Sequence, residues 1–348
     1  MIVRSRKTVA IPPGETIKEQ LEDRRMTQKE LAARMDMTEK HICKLLSGDV
    51  QLTPDVAMRL EMVLGVPASF WNNLEAGYRE DLERVKAENE MDADIEEIKK
   101  FPYSVIAKLG WVPKATRPED KVFNLRKFFE VIRLGLLFTV PGIAPGIAYR
   151  RQNVTEKSTY ASMVWAQKAK LEARNIQVES INLKKLNSYI PQIRKITHLA
   201  IKEAQKQLTE LLKSCGIAFV VLPHIEGAFL HGAAFYDRNK IVLGLTFRGK
   251  DADRFWFSFF HELAHILLGH VNRDANENDE KEANEFAKQT LIPKDDFEQF
   301  VTERIFNKKR VLDFAGKIGI PPGIVVGRLQ KENYIHFNQL NGLKTQIV

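Results

Sequence analysis

The chain has 348 residues, 44% of them hydrophobic, and a formal charge of +8 from 53 basic against 45 acidic side chains. That composition supplies cores for two or three domains and excludes disorder, collagen and mini-protein scaffolds as descriptions of the whole chain. The charge is uneven: residues 1–100 carry net −4, residues 101–215 carry +12, and residues 216–348 balance. Cys43 and Cys215 lie far apart, give no disulfide framework and point to a reducing, cytoplasmic setting. The basic N-terminus lacks a following apolar run, so no signal peptide is expected. An apolar stretch over 135–148 carries Pro141 and Pro145 and reads as a buried, turn-rich segment rather than a membrane span.

Residues 15–85 read as short helices with tight turns. Thr27 precedes one, with Glu30 three residues later as a capping box. Thr38 caps the next and Gly48 stops it. Thr53 caps a third, with Pro54 at its first position. A last helix starts near Pro67 and ends near Glu90, with a domain boundary near residue 95. Residues 96–212 show three stretches of helical spacing. Their densest basic pairs are Arg150-Arg151, Lys184-Lys185 and Arg194-Lys195. A solvated helical surface is the favoured reading; an acidic partner, the DNA backbone or a layer gating a cleft are the others. From Gly216 the texture changes to a β-branched run, then two strands joined around Asp237-Arg238-Asn239, then a helix from about Asp253. The expected fold class is α+β and mostly helical. It comprises a five-helix N-terminal domain (1–95), a basic helical region (96–212) and a domain with a small sheet (213–348), on which the basic region is partly packed.

The helix after the strands carries His261-Glu262-Leu263-Ala264-His265. Histidines at i and i+4 share one face, so both imidazoles reach one metal ion. Neutral imidazole suits Zn2+, and Glu262 beside it can take a proton from water and return it to a leaving amine. Apolar flanks bury the helix, where uncompensated polar groups are costly. A third ligand is needed. His270 is rotated off the ligand face, since a turn is 3.6 residues. In the segment 280–287, Glu280 and Asn284 are four apart and share a face. Glu280 can therefore bind the metal while Asn284 steadies an imidazole; Glu282 is the competing ligand. Tyr236, His231 and His270 are candidates for stabilising an oxyanion.

The run HELAHILLGH followed by EKEANEFAKQTLIP resembles the ImmA/IrrE family of zinc metallopeptidases, over roughly residues 150–345. The resemblance implies a gluzincin-like site with zinc on His261, His265 and Glu280 and with Glu262 as general base. It also implies an endopeptidase whose substrate class is a regulatory protein, such as a repressor or an antitoxin partner.

The N-terminal helices hold a second pattern. Leu31, Ala32, Met37, Ile42 and Leu45 fall where helix-turn-helix packing needs apolar groups. The second helix would then lie in the major groove, presenting Thr38, Lys40, His41 and Lys44, while Gln28 meets a phosphate at a helix start. Glu39 is an acidic residue on the same helix. Residues 13–77, with the ending Pro67 to Leu74 (PASFWNNL), look like the HigA-type helix-turn-helix antitoxins. That resemblance implies a homodimer on operator DNA, usually its own promoter, and often a RelE-like toxin as partner. The alternative is a non-proteolytic repressor or antitoxin whose zinc site is structural or silent.

Overall fold

The computed structural model describes residues 2–5, 7–139, 156–228, 230–246, 251–272 and 277–347. Arg150-Arg151 and residues 140–148 of the apolar stretch lie outside them. The chain divides into two compact units, Met1–Glu97 and Ile98–Val348.

In the first unit, strands β1 (Val3–Arg4) and β2 (Val9–Ala10) form an antiparallel hairpin ahead of five helices. These are α1 (Pro13–Asp23), α2 (Gln28–Arg34), α3 (Glu39–Ser47), α4 (Pro54–Leu64) and α5 (Ala68–Glu97). The starts follow from local chemistry. Thr27 and Thr38 accept hydrogen bonds through Oγ1 from the N–H of Glu30 (3.1 Å) and His41 (3.2 Å). Thr53 does the same for Val56. Each satisfies a donor that the helix start leaves without an intrahelical partner. Gly48 ends α3 at φ +79°, in the left-handed region. Ile17, Leu31, Ile42, Leu60 and Trp71 close the core, and the Trp71 indole donates to the Val66 carbonyl at 3.1 Å.

Helix α5 runs seven residues past the expected end. Pairs at i,i+4, Glu75–Arg79 and Glu80–Arg84, support it by a few tenths of a kcal/mol each. Glu88 adds a tertiary anchor, accepting from the hydroxyls of Thr8 (3.0 Å) and Ser5. That ties the helix to the N-terminal hairpin.

The second unit opens with α6 (Tyr103–Lys108), α7 (Pro118–Phe129) and α8 (Glu156–Arg174). Glu130 caps α7 and pairs through both carboxylate oxygens with Arg174 of α8, at 2.5 and 2.7 Å. Then come α9 (Leu183–Ser188), α10 (Ile190–Ile196) and α11 (Ile201–Lys213). The sheet has strands β3 (Ile217–Leu222), β4 (Gly232–Asp237) and β5 (Lys240–Thr246) in the order β3-β5-β4. β3 lies parallel to β5 and β4 antiparallel to it. The hairpin turns through Arg238 at φ +58°. Gly244 lets α8 approach the sheet, because a Cβ there would meet the Trp165 ring at 2.8 Å. Five helices complete the unit: α12 (Ala252–Leu267), α13 (Glu277–Leu291), α14 (Lys294–Thr302), α15 (Lys308–Ile318) and α16 (Pro322–Lys331).

One apolar core joins the helices from α9 onward to the sheet and to the helices after it. Leu186, Ile193 and Leu208, from the helices before the sheet, pack in the same cluster as Phe219, Leu243, Phe259 and Val325. Several basic residues also face inward. Lys240 donates to the carbonyls of Ala173 and Ile176 at the end of α8, and Lys185 donates to that of Ser214 after α11. Cations there complement the negative end of a helix. Among the described residues, no helix is long and apolar enough to cross a membrane.

Candidate metal centre

Helix α12 is held by its apolar faces: Phe255, Trp256, Phe259, Phe260, Leu263 and Ile266 are all buried. The remaining face presents His261 and His265 one turn apart. Helix α13 packs alongside and presents Glu280 and Asn284, again one turn apart. The Nε2 atoms of the two histidines stand 3.0 Å from each other. Oε2 of Glu280 lies 3.4 Å from Nε2 of His261, and Oε1 lies 3.6 Å from Nε2 of His265. On its other side, Nδ1 of His261 is 3.2 Å from Oδ1 of Asn284. An amide oxygen only accepts, so Nδ1 carries the proton and Nε2 keeps its lone pair.

That donor set fits a divalent cation. Nitrogen lone pairs and a carboxylate converge at distances where they repel one another unless a positive charge lies among them. Two imidazoles and a carboxylate are the open three-ligand set of catalytic zinc sites. Glu282, the competing third ligand, is placed elsewhere: it meets Nε2 of His270 at 3.2 Å.

Glu262 is 3% exposed and lines a cleft of about 960 Å³ with His231, Phe257, Ser258, His261 and Glu280. Of the three oxyanion candidates, His231 is among the described lining residues, whereas Tyr236 and His270 are not. Asp253 also lines the cleft, paired with Lys344 at 3.1 Å. Burial raises its pKa, outweighing the downward pull of Lys344.

Gly232, at the start of β4, went unnoticed in the sequence. A Cβ there would sit 2.7 Å from Cγ of Glu262, so the strand edge is shaped around that carboxylate. A glycine beginning a strand next to a candidate base is the signal that could have marked it. Gly232→Ala is expected to leave zinc content unchanged and to lower cleavage by roughly 10- to 100-fold through displacement of Glu262. Metal analysis beside a rate measurement checks both halves.

In the first unit, the residues expected at DNA occupy the start of α2 and the exposed side of α3. Gln28, Thr38, Lys40 and Lys44 are exposed, with Lys40 and Lys44 one turn apart. Thr38 spends its hydroxyl on the cap. His41 is half-buried, and its Nε2 is buried without a hydrogen-bond partner, so its ring is less available than the lysines.

A helical unit with a capped pair of short helices, and a second unit with three donors that could hold a cation, fit a regulatory domain joined to a metallopeptidase-like domain. A helix-turn-helix family model matches residues 17–71, and a peptidase family model described as the IrrE N-terminal-like domain matches residues 232–329. The chain is similar to an uncharacterized HTH-type transcriptional regulator, YddM, of Escherichia coli. Identity is 33% over 63 residues, covering 18% of this chain and 67% of that one. It is also similar to a solved addiction module antidote protein of a HigA family from Coxiella burnetii. That match has 26% identity, covers 26% of this chain and 92% of the other, and has a TM-score of 0.21. The chain belongs to the helix-turn-helix family through its N-terminal domain, which is fused to a C-terminal IrrE/ImmA-type peptidase domain.

Proposed function

We propose that the protein is a DNA-binding transcriptional regulator, antitoxin-like in its first unit. Its second unit is a zinc-dependent endopeptidase acting on a regulatory protein. The observation that carries the enzymatic half is the convergence of His261, His265 and Glu280 beside a buried Glu262 in an open cleft. His261, His265 and Glu280 would hold a divalent cation, which would supply Lewis-acid polarisation of a peptide carbonyl and acidify a water. Glu262 accepts the proton of that water and delivers it to the departing amine. Asn284 orients His261, and the cleft walls hold the peptide against the centre. The substrate class is a repressor or antitoxin partner, with the protein itself as a further candidate. Incubating zinc-loaded protein with the proteins encoded beside it should release two fragments of one partner. Retained zinc with no cleavage of any of them would favour a structural centre in a non-proteolytic repressor.

The DNA half rests on the fold of α2 and α3 and on the exposed lysines. The reading includes a homodimer on the protein's own promoter, a cytoplasmic setting and a RelE-like toxin as a third partner. Lys40→Ala with Lys44→Ala is expected to weaken promoter binding and to reduce the salt slope by about two, one for each phosphate no longer neutralised. Gel shifts across a salt series measure this. An unchanged slope would remove α3 from the interface.

A further inference from the structure

His270 stands outside the three-donor centre but in the same buried layer, 3% exposed. Its Nδ1 lies 3.1 Å from Nδ1 of His265. Its Nε2 lies 3.2 Å from Oε2 of Glu282 and 3.7 Å from Oδ1 of Asp279. Asp279 is itself buried, at 1% exposure.

Two ring nitrogens at 3.1 Å make a hydrogen bond only if one carries the proton and the other accepts it. The carboxylates decide which. A carboxylate only accepts, so Glu282, at hydrogen-bond distance, places a proton on Nε2 of His270, with an Asp279 oxygen 3.7 Å away. In the neutral ring, Nδ1 of His270 then keeps its lone pair. The proton between the rings therefore sits on Nδ1 of His265. Nε2 of His265 is left bare, facing His261 and Glu280.

We infer that His270, backed by Glu282 and Asp279, is a positioning residue that locks His265 in the tautomer able to bind a cation. This rests on the reading of the three-donor centre as a cation site. It gives His265 the partner that Asn284 gives His261, so both histidines of α12 arrive with their coordinating nitrogens bare. Outer partners of this kind set ligand orientation and basicity.

His270, Asp279 and Glu282 also offer three atoms within 4.8 Å of one another, a set that could suit a second cation. The proton count opposes it. A cation on Nε2 of His270 would move that ring's proton to Nδ1. His265 would then have to accept at Nδ1 and carry its proton on Nε2, closing it to the first centre. Between His265 and His270 the relay sets a proton against a lone pair, and the like groups that still face each other are the donors of the first centre.

The deciding measurement is the ¹⁵N imidazole spectrum of the full-length, metal-free protein. The relay requires His265 protonated at Nδ1 and His270 at Nε2. A proton on Nε2 of His265 overturns it. Zinc affinity, by competition with a chromophoric chelator, adds a second readout. His270→Leu removes the acceptor and should weaken zinc binding roughly 10- to 100-fold. His270→Gln, whose side-chain carbonyl can accept from Nδ1 of His265, should recover most of that loss. Unchanged affinity in His270→Leu overturns the relay, as does a second zinc equivalent in the wild type that Glu282→Ala abolishes. Should His270→Leu fail to fold, the tautomer measurement decides alone. A wild-type protein that binds no zinc yet protonates His265 at Nδ1 overturns the cation reading and leaves the relay standing.

Discussion

Glu262→Gln is expected to keep its zinc and to lose roughly 10²–10⁴-fold in kcat/KM for peptide cleavage, the range a positioned general base contributes. Glu262 is not one of the three converging donors, so the cation keeps its set of His261, His265 and Glu280. Gln has the same shape, so the substitution removes the carboxylate without changing the space the side chain fills. On the proposed mechanism, what would be lost is the ability to hold a proton between the attack on the carbonyl and the departure of the amine. Elemental analysis and mass-spectrometric detection of the fragments read the two quantities separately. A variant that cleaves at the wild-type rate would remove Glu262 from the mechanism. One that loses zinc as well would mean that the carboxylate helps to hold the cation.

What the sequence showed of the fold and site follows the range of the interactions involved. Caps at Thr27, Thr38 and Thr53 were legible because donor and acceptor lie three residues apart. The pairing of His261 with His265, and of Glu280 with Asn284, was legible because each is one turn of a single helix. Their meeting across α12 and α13 needed only that two amphipathic helices pack face to face. Spacing alone could not rank Glu280 above Glu282 with certainty. Helix α13 turns Glu280 toward His261 and His265 and turns Glu282 toward His270. His270 was set aside as a ligand because of its helical phase, yet the chain leaves helix after Leu267. A short 3-10 turn over His270–Asn272 comes next and brings its ring against His265, which phase on a continued helix does not describe. The role of Gly232 was harder to read than its place at a strand start, because its constraint comes from a residue thirty positions away. In the basic segment Lys184 and Lys195 are exposed, as a solvated surface requires, while Lys185 and Arg194 reach carbonyls distant in sequence that spacing does not reveal.

Arg194→Ala is expected to cost about 3 kcal/mol of stability, taking two to three charge-assisted hydrogen bonds and discounting them for partial exposure. From α10, its Nε donates to the Thr290 carbonyl (2.9 Å), and Nη2 donates to those of Leu291 (3.1 Å) and Ile318 (2.8 Å). Those carbonyls close α13 and α15, where the last turn has no intrahelical donors left. The guanidinium thus serves two helix ends at once, and its charge opposes the negative pole of both dipoles. Burial lowers its pKa, but a guanidinium stays charged at neutral pH. Arg194→Lys should recover less than half the loss, because a single ammonium cannot span both helices as a planar fork does. Denaturant midpoints compare the three proteins, and a loss under about 0.5 kcal/mol for Arg194→Ala would place the residue among ordinary surface cations. Helix α13 also carries Glu280 and Asn284, so the cap steadies the helix that completes the candidate cation centre. Part of the +12, for which a solvated helical surface is the favoured sequence reading, therefore holds helix ends in place within the fold.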